Sequence, residues 1–313
     1  MRLGLLCTAN VDTSQAVRDY VEFNVEAEAL GFASTFLVEH HFSGFNQVAA
    51  TLMLQTLVAS RTSTLRLGTG VMVLPWHNPV LLAEQAATLD VISDGRLDFG
   101  VGKGYRYSEF RGFGIDQNQA DARFEESLEV LRRAWTSRDR FSHRGRFWSF
   151  EDIVVEPAPA QSPYPPIWVA AASEASIRRA AARGYNLILD QYASVEQIRE
   201  RIGWFGDGNV AVARQTYVAH SRAEAEDALA RLAAFTRRIV EVSRSPGSQR
   251  GSHVLGYAET QKHALYGTPD QVCAGLQALS ETGVSYVLLQ LATDPQQLRR
   301  IAHEVIAPHG ASH

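Results

Sequence analysis

Two imidazoles side by side, in Glu39-His40-His41-Phe42, directly follow an apolar run at residues 35–38. Histidine has the side-chain pKa nearest neutrality, so a histidine at the end of a buried segment suits general acid or base chemistry; hydrogen-bonded packing is the competing reading. Pro75-Trp76-His77-Asn78 ends the next apolar run, and Gly102, Lys103, Gly104 and Tyr105 end the one after, with Glu109 close behind. Lys103 between two glycines suits an anion, because glycine lets backbone approach a ligand closely. Ala171, Ala172 and Ser173 lead into a helical stretch, whose free N–H groups and dipole favour phosphate. Lys103 and Ser173 together suggest a phosphate clamp. Glu39, His40, His41 and His77 could in principle hold a metal. Adjacent residues of an extended chain point oppositely, however, and neither HExxH nor HxH occurs, so no metal site is expected.

These candidates share a position, each at the C-terminal end of an apolar run. Eight such runs occur, at 3–7, 35–38, 65–74, 97–101, 167–170, 187–190, 210–218 and 286–291. They are apolar on both faces, the pattern of parallel strands covered on both sides. Helical segments lie between them, at 14–30, 47–60, 79–92, 120–135, 174–183, 195–204, 222–242, 269–282 and 295–305. The alternation predicts an α/β fold, a (β/α)8 TIM barrel, whose active sites lie at the C-terminal strand ends. An open doubly wound sheet is the alternative, but no G-x-G-x-x-G follows the first strand. Two stretches break the alternation. Residues 140–166, with Phe141, Gly145, Phe147, Trp148, Phe150 and then five prolines, read as a hairpin insertion followed by an extended connection. Residues 243–266 are polar and read as a long mobile loop before the last strand, a candidate lid. Neither resembles a linker, so residues 1–313 are expected to form a single domain.

Composition narrows the class without naming the chemistry. With 30 Lys+Arg against 34 Asp+Glu there is no basic face for nucleic acid. The two cysteines, Cys7 and Cys273, cannot build a disulfide framework. No window approaches the length of a membrane span, and the short apolar start lacks a signal-peptide pattern, so a cytoplasmic enzyme is expected. Only Lys103 and Lys262 are lysines; the arginine surplus reads as codon bias.

The motifs resemble the bacterial luciferase-like flavin monooxygenase family, and its luciferase α subunit in particular. Gly31-Phe32, Glu39-His40-His41-Phe42 and Phe45 resemble its start. Leu67-Gly68-Thr69-Gly70-Val71-Met72-Val73-Leu74-Pro75 with Asn78-Pro79-Val80, the stretch Leu89-Asp90 to Phe99-Gly100, and Phe110-Arg111-Gly112-Phe113-Gly114 follow in order. Pro165-Pro166-Ile167-Trp168-Val169-Ala170-Ala171, Ala182-Arg183-Gly184 and Gly267-Thr268-Pro269 complete the resemblance. It implies the same barrel and an FMNH2-dependent monooxygenase. In that scheme reduced FMN comes from a separate flavin reductase, O2 is co-substrate, and a C4a-peroxyflavin oxygenates a small organic molecule, with natural-product tailoring a role it would suit. His40 falls on the catalytic histidine and Glu109 on an aspartate beside it. Lys103 falls on an arginine at the flavin phosphate, with Gly104 next to it, and Ala172 and Ser173 on the amides that bind this phosphate. Gly70-Val71 falls on a non-proline cis peptide beneath the flavin ring.

Departures point to a different pocket. The reactive-cysteine position is Gly102, expected to open space beside the ring, and a tryptophan position is Gln191. Trp76, His77, Tyr105 and Gln191 are the candidate substrate pocket, with Arg106 nearby. An F420-dependent oxidoreductase on the same barrel and a non-catalytic flavin-binding partner subunit are the alternatives. The resemblance also implies a dimer, expected to be a homodimer, through helices 14–30, 47–60 and 79–92, with Ala49, Ala50, Ala83, Ala86 and Ala87 permitting close approach.

Overall fold

The computed structural model describes residues 1–45, 47–243 and 263–307. Eight parallel strands form the framework: β1 (Arg2–Cys7), β2 (Ser34–Leu37), β3 (Arg66–Thr69), β4 (Leu97–Gly102), β5 (Ile167–Ala170), β6 (Asn186–Leu189), β7 (Val210–Val218) and β8 (Tyr286–Gln290). Each pairs with the next in the chain, and β8 pairs with β1, so the sheet closes on itself. Closure decides between the two architectures the sequence allows, in favour of the TIM barrel.

Alternation along the strands sends one set of side chains outward to the helices and the other inward. The inward set is a small separate cluster of Phe36, Trp168, Ile188, Ala211, Tyr286 and Leu288. Trp168 lies edge-on to Phe36 at 6.1 Å and to Tyr286 at 6.0 Å. Below these rings Arg66 clasps Asp98 with two hydrogen bonds, of 2.7 and 2.9 Å, and the Trp168 indole donates to Asp98 at 3.1 Å. Room for the rings comes from glycine. A Cβ on Gly68 would lie 2.3 Å from the Phe36 ring, and one on Gly100 would lie 1.8 Å from the Thr69 carbonyl oxygen.

The third apolar run is not one strand. It is cut after Thr69 by the Gly70-Val71 peptide, which is cis. The chain then touches the end of β4 through Met72–Val73 and turns as a 3-10 helix, Leu74–Trp76. Helix α1 (Ser14–Ala29) begins where expected, whereas α2 (Thr51–Ala59) starts late because Gln47 bridges to Asn10. Helix α3 (Pro79–Ile92) is capped by the Asn78 side chain, which accepts from the N–H groups of Val80 and Leu81. Ala83, Ala86 and Ala87 are wholly buried in the chain's own core, so they cannot provide the close approach to a partner expected of them. The hairpin insertion is present as Phe141–Arg144 against Ser149–Ile153. Residues 244–262, which hold most of the expected lid and Lys262, lie outside the described residues.

The replacement Gly100→Ala forces a methyl group into a backbone carbonyl, which cannot move without disturbing β3. It is expected to cost roughly 2–3 kcal/mol, read as a lower urea midpoint, with Ala83→Gly as a control of different character.

Candidate active site

The loops after β2 and β3 are drawn together by one carboxylate. Glu39 is 1% exposed, and every oxygen of it is occupied. Its Oε1 accepts from His77 Nε2 at 2.7 Å, His41 Nε2 at 2.8 Å and Trp76 Nε1 at 3.0 Å. Its Oε2 accepts from the Val73 N–H at 2.7 Å. Burial alone would raise its pKa, but the bonds from His41 and His77 outweigh burial and hold it at about 2. Glu39, His41, His77, Trp76 and the Val73 N–H thus form one hydrogen-bond knot about a buried carboxylate.

His40 points the other way along the extended segment, as alternation requires. Its Nδ1 lies 3.0 Å from Glu109 Oε1, and the same oxygen accepts the His41 N–H at 3.0 Å. Glu109 is presented by a short helix, Tyr107–Gly112, in whose first turn it sits. Because the carboxylate accepts from the ring, Nδ1 carries the proton of neutral His40 and Nε2 is left as an acceptor. Burial pushes the His40 pKa down, with the Arg106 charge adding to it, and Glu109 and Glu39 oppose this without reversing it.

The remaining candidates line the same end of the barrel. Val71, beyond the cis peptide, packs onto the inward aromatic cluster. Its methyl also occupies the place of a Gly102 side chain, since a Cβ there would lie 2.6 Å from Val71 Cγ2. Gly102 therefore does not open space, because the neighbouring loop has filled it. Gly104 has φ of 76°, and a Cβ there would press on Val73, Phe110 and Trp76. Lys103 is exposed and donates to Asp121 Oδ1 at 2.7 Å. Ala172 and Ser173 lead into helix α4 (Glu174–Ala182). The Ser173 hydroxyl caps that helix and lies 2.8 Å from the Ser176 hydroxyl, a second helix-end hydroxyl that spacing alone did not single out. Trp76 stacks on Phe113 at 5.1 Å, and both Trp76 and His77 are held by Glu39 rather than standing free in a pocket. The Tyr105 ring is edge-on to His40 at 6.4 Å. Gln191 donates to the Tyr192 hydroxyl at 2.7 Å, and its own carbonyl oxygen is buried with no partner.

Two positions went unremarked in the sequence as site residues. Glu39 stood out only as a metal candidate, although an acid next to two histidines is itself a signal. Arg214, a lone charge inside the apolar run of β7, is 2% exposed and donates to the carbonyls of Ala193 (2.6 Å) and Ala213 (2.9 Å). It thereby pins the loop bearing Gln191, and burial lowers its pKa to about 10.

The family model described as luciferase-like monooxygenase matches residues 1–286. The chain belongs to the luciferase-like monooxygenase family. Among its relatives, the oxygenase component of flavin-dependent trigonelline monooxygenase from Acinetobacter baylyi is 30% identical over 68% of this chain and 62% of its own. An FMNH(2)-dependent dimethylsulfone monooxygenase from Pseudomonas putida is 27% identical over 84% of this chain and 79% of its own. An uncharacterized protein of Sinorhizobium fredii, y4vJ, is 36% identical over 56% of this chain. The chain spans 50% of that relative and 62% of the trigonelline enzyme, so about half to three fifths of the curated relatives it matches first. Among solved structures, monooxygenase RslO1 from Streptomyces bottropensis superposes with a TM-score of 0.85 at 26% identity, covering 99% of this luciferase-like chain and 100% of its own. An F420-dependent secondary alcohol dehydrogenase superposes at 0.82 with 16% identity, a likeness of fold alone.

The depressed pKa of Glu39 makes stability depend on acid. Its folded value lies below its usual 4.5, so the associated stabilisation, about 3 kcal/mol, is present above that pH and is lost as pH falls from 4.5 toward about 2. Urea midpoints measured across this window should fall less steeply for Glu39→Gln, which should also be less stable at neutral pH.

Proposed function

We propose that this family member is the oxygenase of a two-component system, using reduced FMN from a separate flavin reductase and O2 to oxygenate a small organic substrate. The observation that carries this reading is the His40–Glu109 hydrogen bond of 3.0 Å at the C-terminal end of a barrel of this family, one loop from the cis Gly70-Val71 peptide. The naming of one relative as an oxygenase component and another as FMNH(2)-dependent supports both the cofactor and the reductase.

The residues present fit FMN. Ala170 closes β5 yet is exposed, because the small residues at this end leave the barrel mouth open, and the Gln191 carbonyl oxygen awaits a donor. Lys103 with Gly104 on one side, and the backbone of Ala172 and Ser173 at the start of α4 on the other, would hold the phosphate. To do so Lys103 would exchange Asp121 for the phosphate, an exposed pair that costs little to separate. Gly70 and Val71 would support the ring. Bound reduced FMN supplies the electrons that activate O2. His40, oriented by Glu109, offers Nε2 to take a proton or return one, and the aromatic cluster of Trp76, Phe110 and Phe113 keeps water from that side. Tyr105 and Gln191 would face the substrate.

The family member is further proposed to act as a single domain and to form a homodimer through α2 and α3. Met53, Leu57 and Leu81, exposed by 73%, 45% and 53%, support this surface in place of the buried alanines.

Photoreduced FMN and reduced F420, titrated in parallel against protein fluorescence, are expected to show tighter binding of FMN; stronger binding of F420 would instead favour hydride transfer. Replacing His40 with Ala should reduce kcat/KM by at least about 100-fold with an unchanged circular dichroism spectrum. The double replacement Met53→Glu with Leu57→Glu should yield monomers in sedimentation velocity, and a native protein that sediments as a monomer would rule out the homodimer.

A further inference from the structure

The loop after β4 carries a buried arginine that has no part in the reading above. Arg106 is 4% exposed and donates through Nη1 to the neutral side chain of Gln47 at 2.8 Å. The same nitrogen lies 3.7 Å from Glu109 Oε1. That oxygen is also the one that accepts from the His40 ring and from the His41 N–H, each at 3.0 Å. A single carboxylate oxygen therefore faces an imidazole, a backbone amide and a guanidinium. Tyr105 flanks both partners, its ring edge-on to His40 and its hydroxyl 3.4 Å from Arg106 Nε. The charged groups acting on His40 are Glu109 and Arg106 from the β4 loop and Glu39 from its own segment. Glu39 is itself occupied by His41 and His77.

A carboxylate against an imidazole does two things at once. It fixes the tautomer, and it favours the charged ring. For a base the first is needed and the second is harmful, since a ring already protonated cannot take a proton. A fixed positive charge on the same carboxylate oxygen separates the two effects. Arginine suits this role because it stays charged when buried, and docking onto an uncharged glutamine leaves its charge directed at Glu109 rather than spent on a second acid.

We propose that Arg106, docked on Gln47, is a positioning residue that lets Glu109 orient His40 without charging it, leaving a neutral imidazole with Nδ1–H on the carboxylate and an unprotonated Nε2. The proposal rests on the reading of His40 as the proton-transfer residue. The direction of the His40 shift agrees with the geometry, with burial the larger cause of its lowering and Arg106 the next.

The deciding measurement is the His40 titration by NMR in protein labelled at the histidine ring nitrogens, with His40→Gln used to assign the signal. In the unsubstituted protein His40 is expected to be neutral at neutral pH with its proton on Nδ1. A charged ring, or a proton on Nε2, overturns the proposal, and this outcome needs no variant to fold. Arg106→Gln is expected to move the titration to higher pH, Arg106→Lys to restore it toward the original position, and Glu109→Gln to move it lower. A titration that is unmoved or falls in Arg106→Gln overturns the proposal. The acid limb of the kcat/KM profile is expected to move with the NMR titration in the same variants. Undiminished activity in His40→Ala would remove the proton-transfer role itself, a failure separable from an unmoved titration, which would remove only the part assigned to Arg106.

Discussion

A charge removed from water must be met by donors, and at this barrel's mouth the Glu39 carboxylate meets four of them from two different loops. The requirement shapes everything near it. It draws the segment after β3 back toward β2, so that Val73, Trp76 and His77 all face one acid. It fixes the path of the chain on both sides of His40 and beyond the cis Gly70-Val71 peptide. Through Trp76 it seats the aromatic cluster with Phe110 and Phe113. Unpaired, the same charge would be among the most costly features of the fold.

Beneath this knot the barrel interior is graded along its axis. The Arg66–Asp98 pair closes the lower end, aromatic rings fill the middle, and small residues leave the upper end open. Glycines at 68 and 100 are what permit the middle layer, since the ring of Phe36 and the carbonyl of Thr69 stand where their side chains would be. The filled middle gives the upper end a firm floor. Polar groups placed there are held by packing below and by hydrogen bonds from the loops above, which is how a site keeps its geometry without rigid loops.

Neighbours on this architecture include flavin monooxygenases and F420-dependent enzymes alike. The barrel therefore does not choose the reaction; the side chains at its mouth do. In this chain that mouth holds the Glu109 carboxylate, one oxygen of which faces the His40 ring, the His41 N–H and the Arg106 guanidinium.

Local pattern determined much of this. The eight apolar runs, the hairpin at residues 141–153 and the position of His40 at a strand end follow from periodicity and turn residues, which act over a few positions. Motif resemblance added the Gly70-Val71 peptide and the pairing of His40 with Glu109, 69 residues apart. Tertiary structure decided the rest. Whether the sheet closes depends on β8 meeting β1 across the whole chain. That Val71 fills the place beside Gly102, that Ala83, Ala86 and Ala87 turn inward, and that Gln47 receives Arg106 from 59 residues away are facts of packing. No spacing rule carries them, because burial and charge pairing are set by neighbours in space, and those neighbours exist only once the barrel has formed.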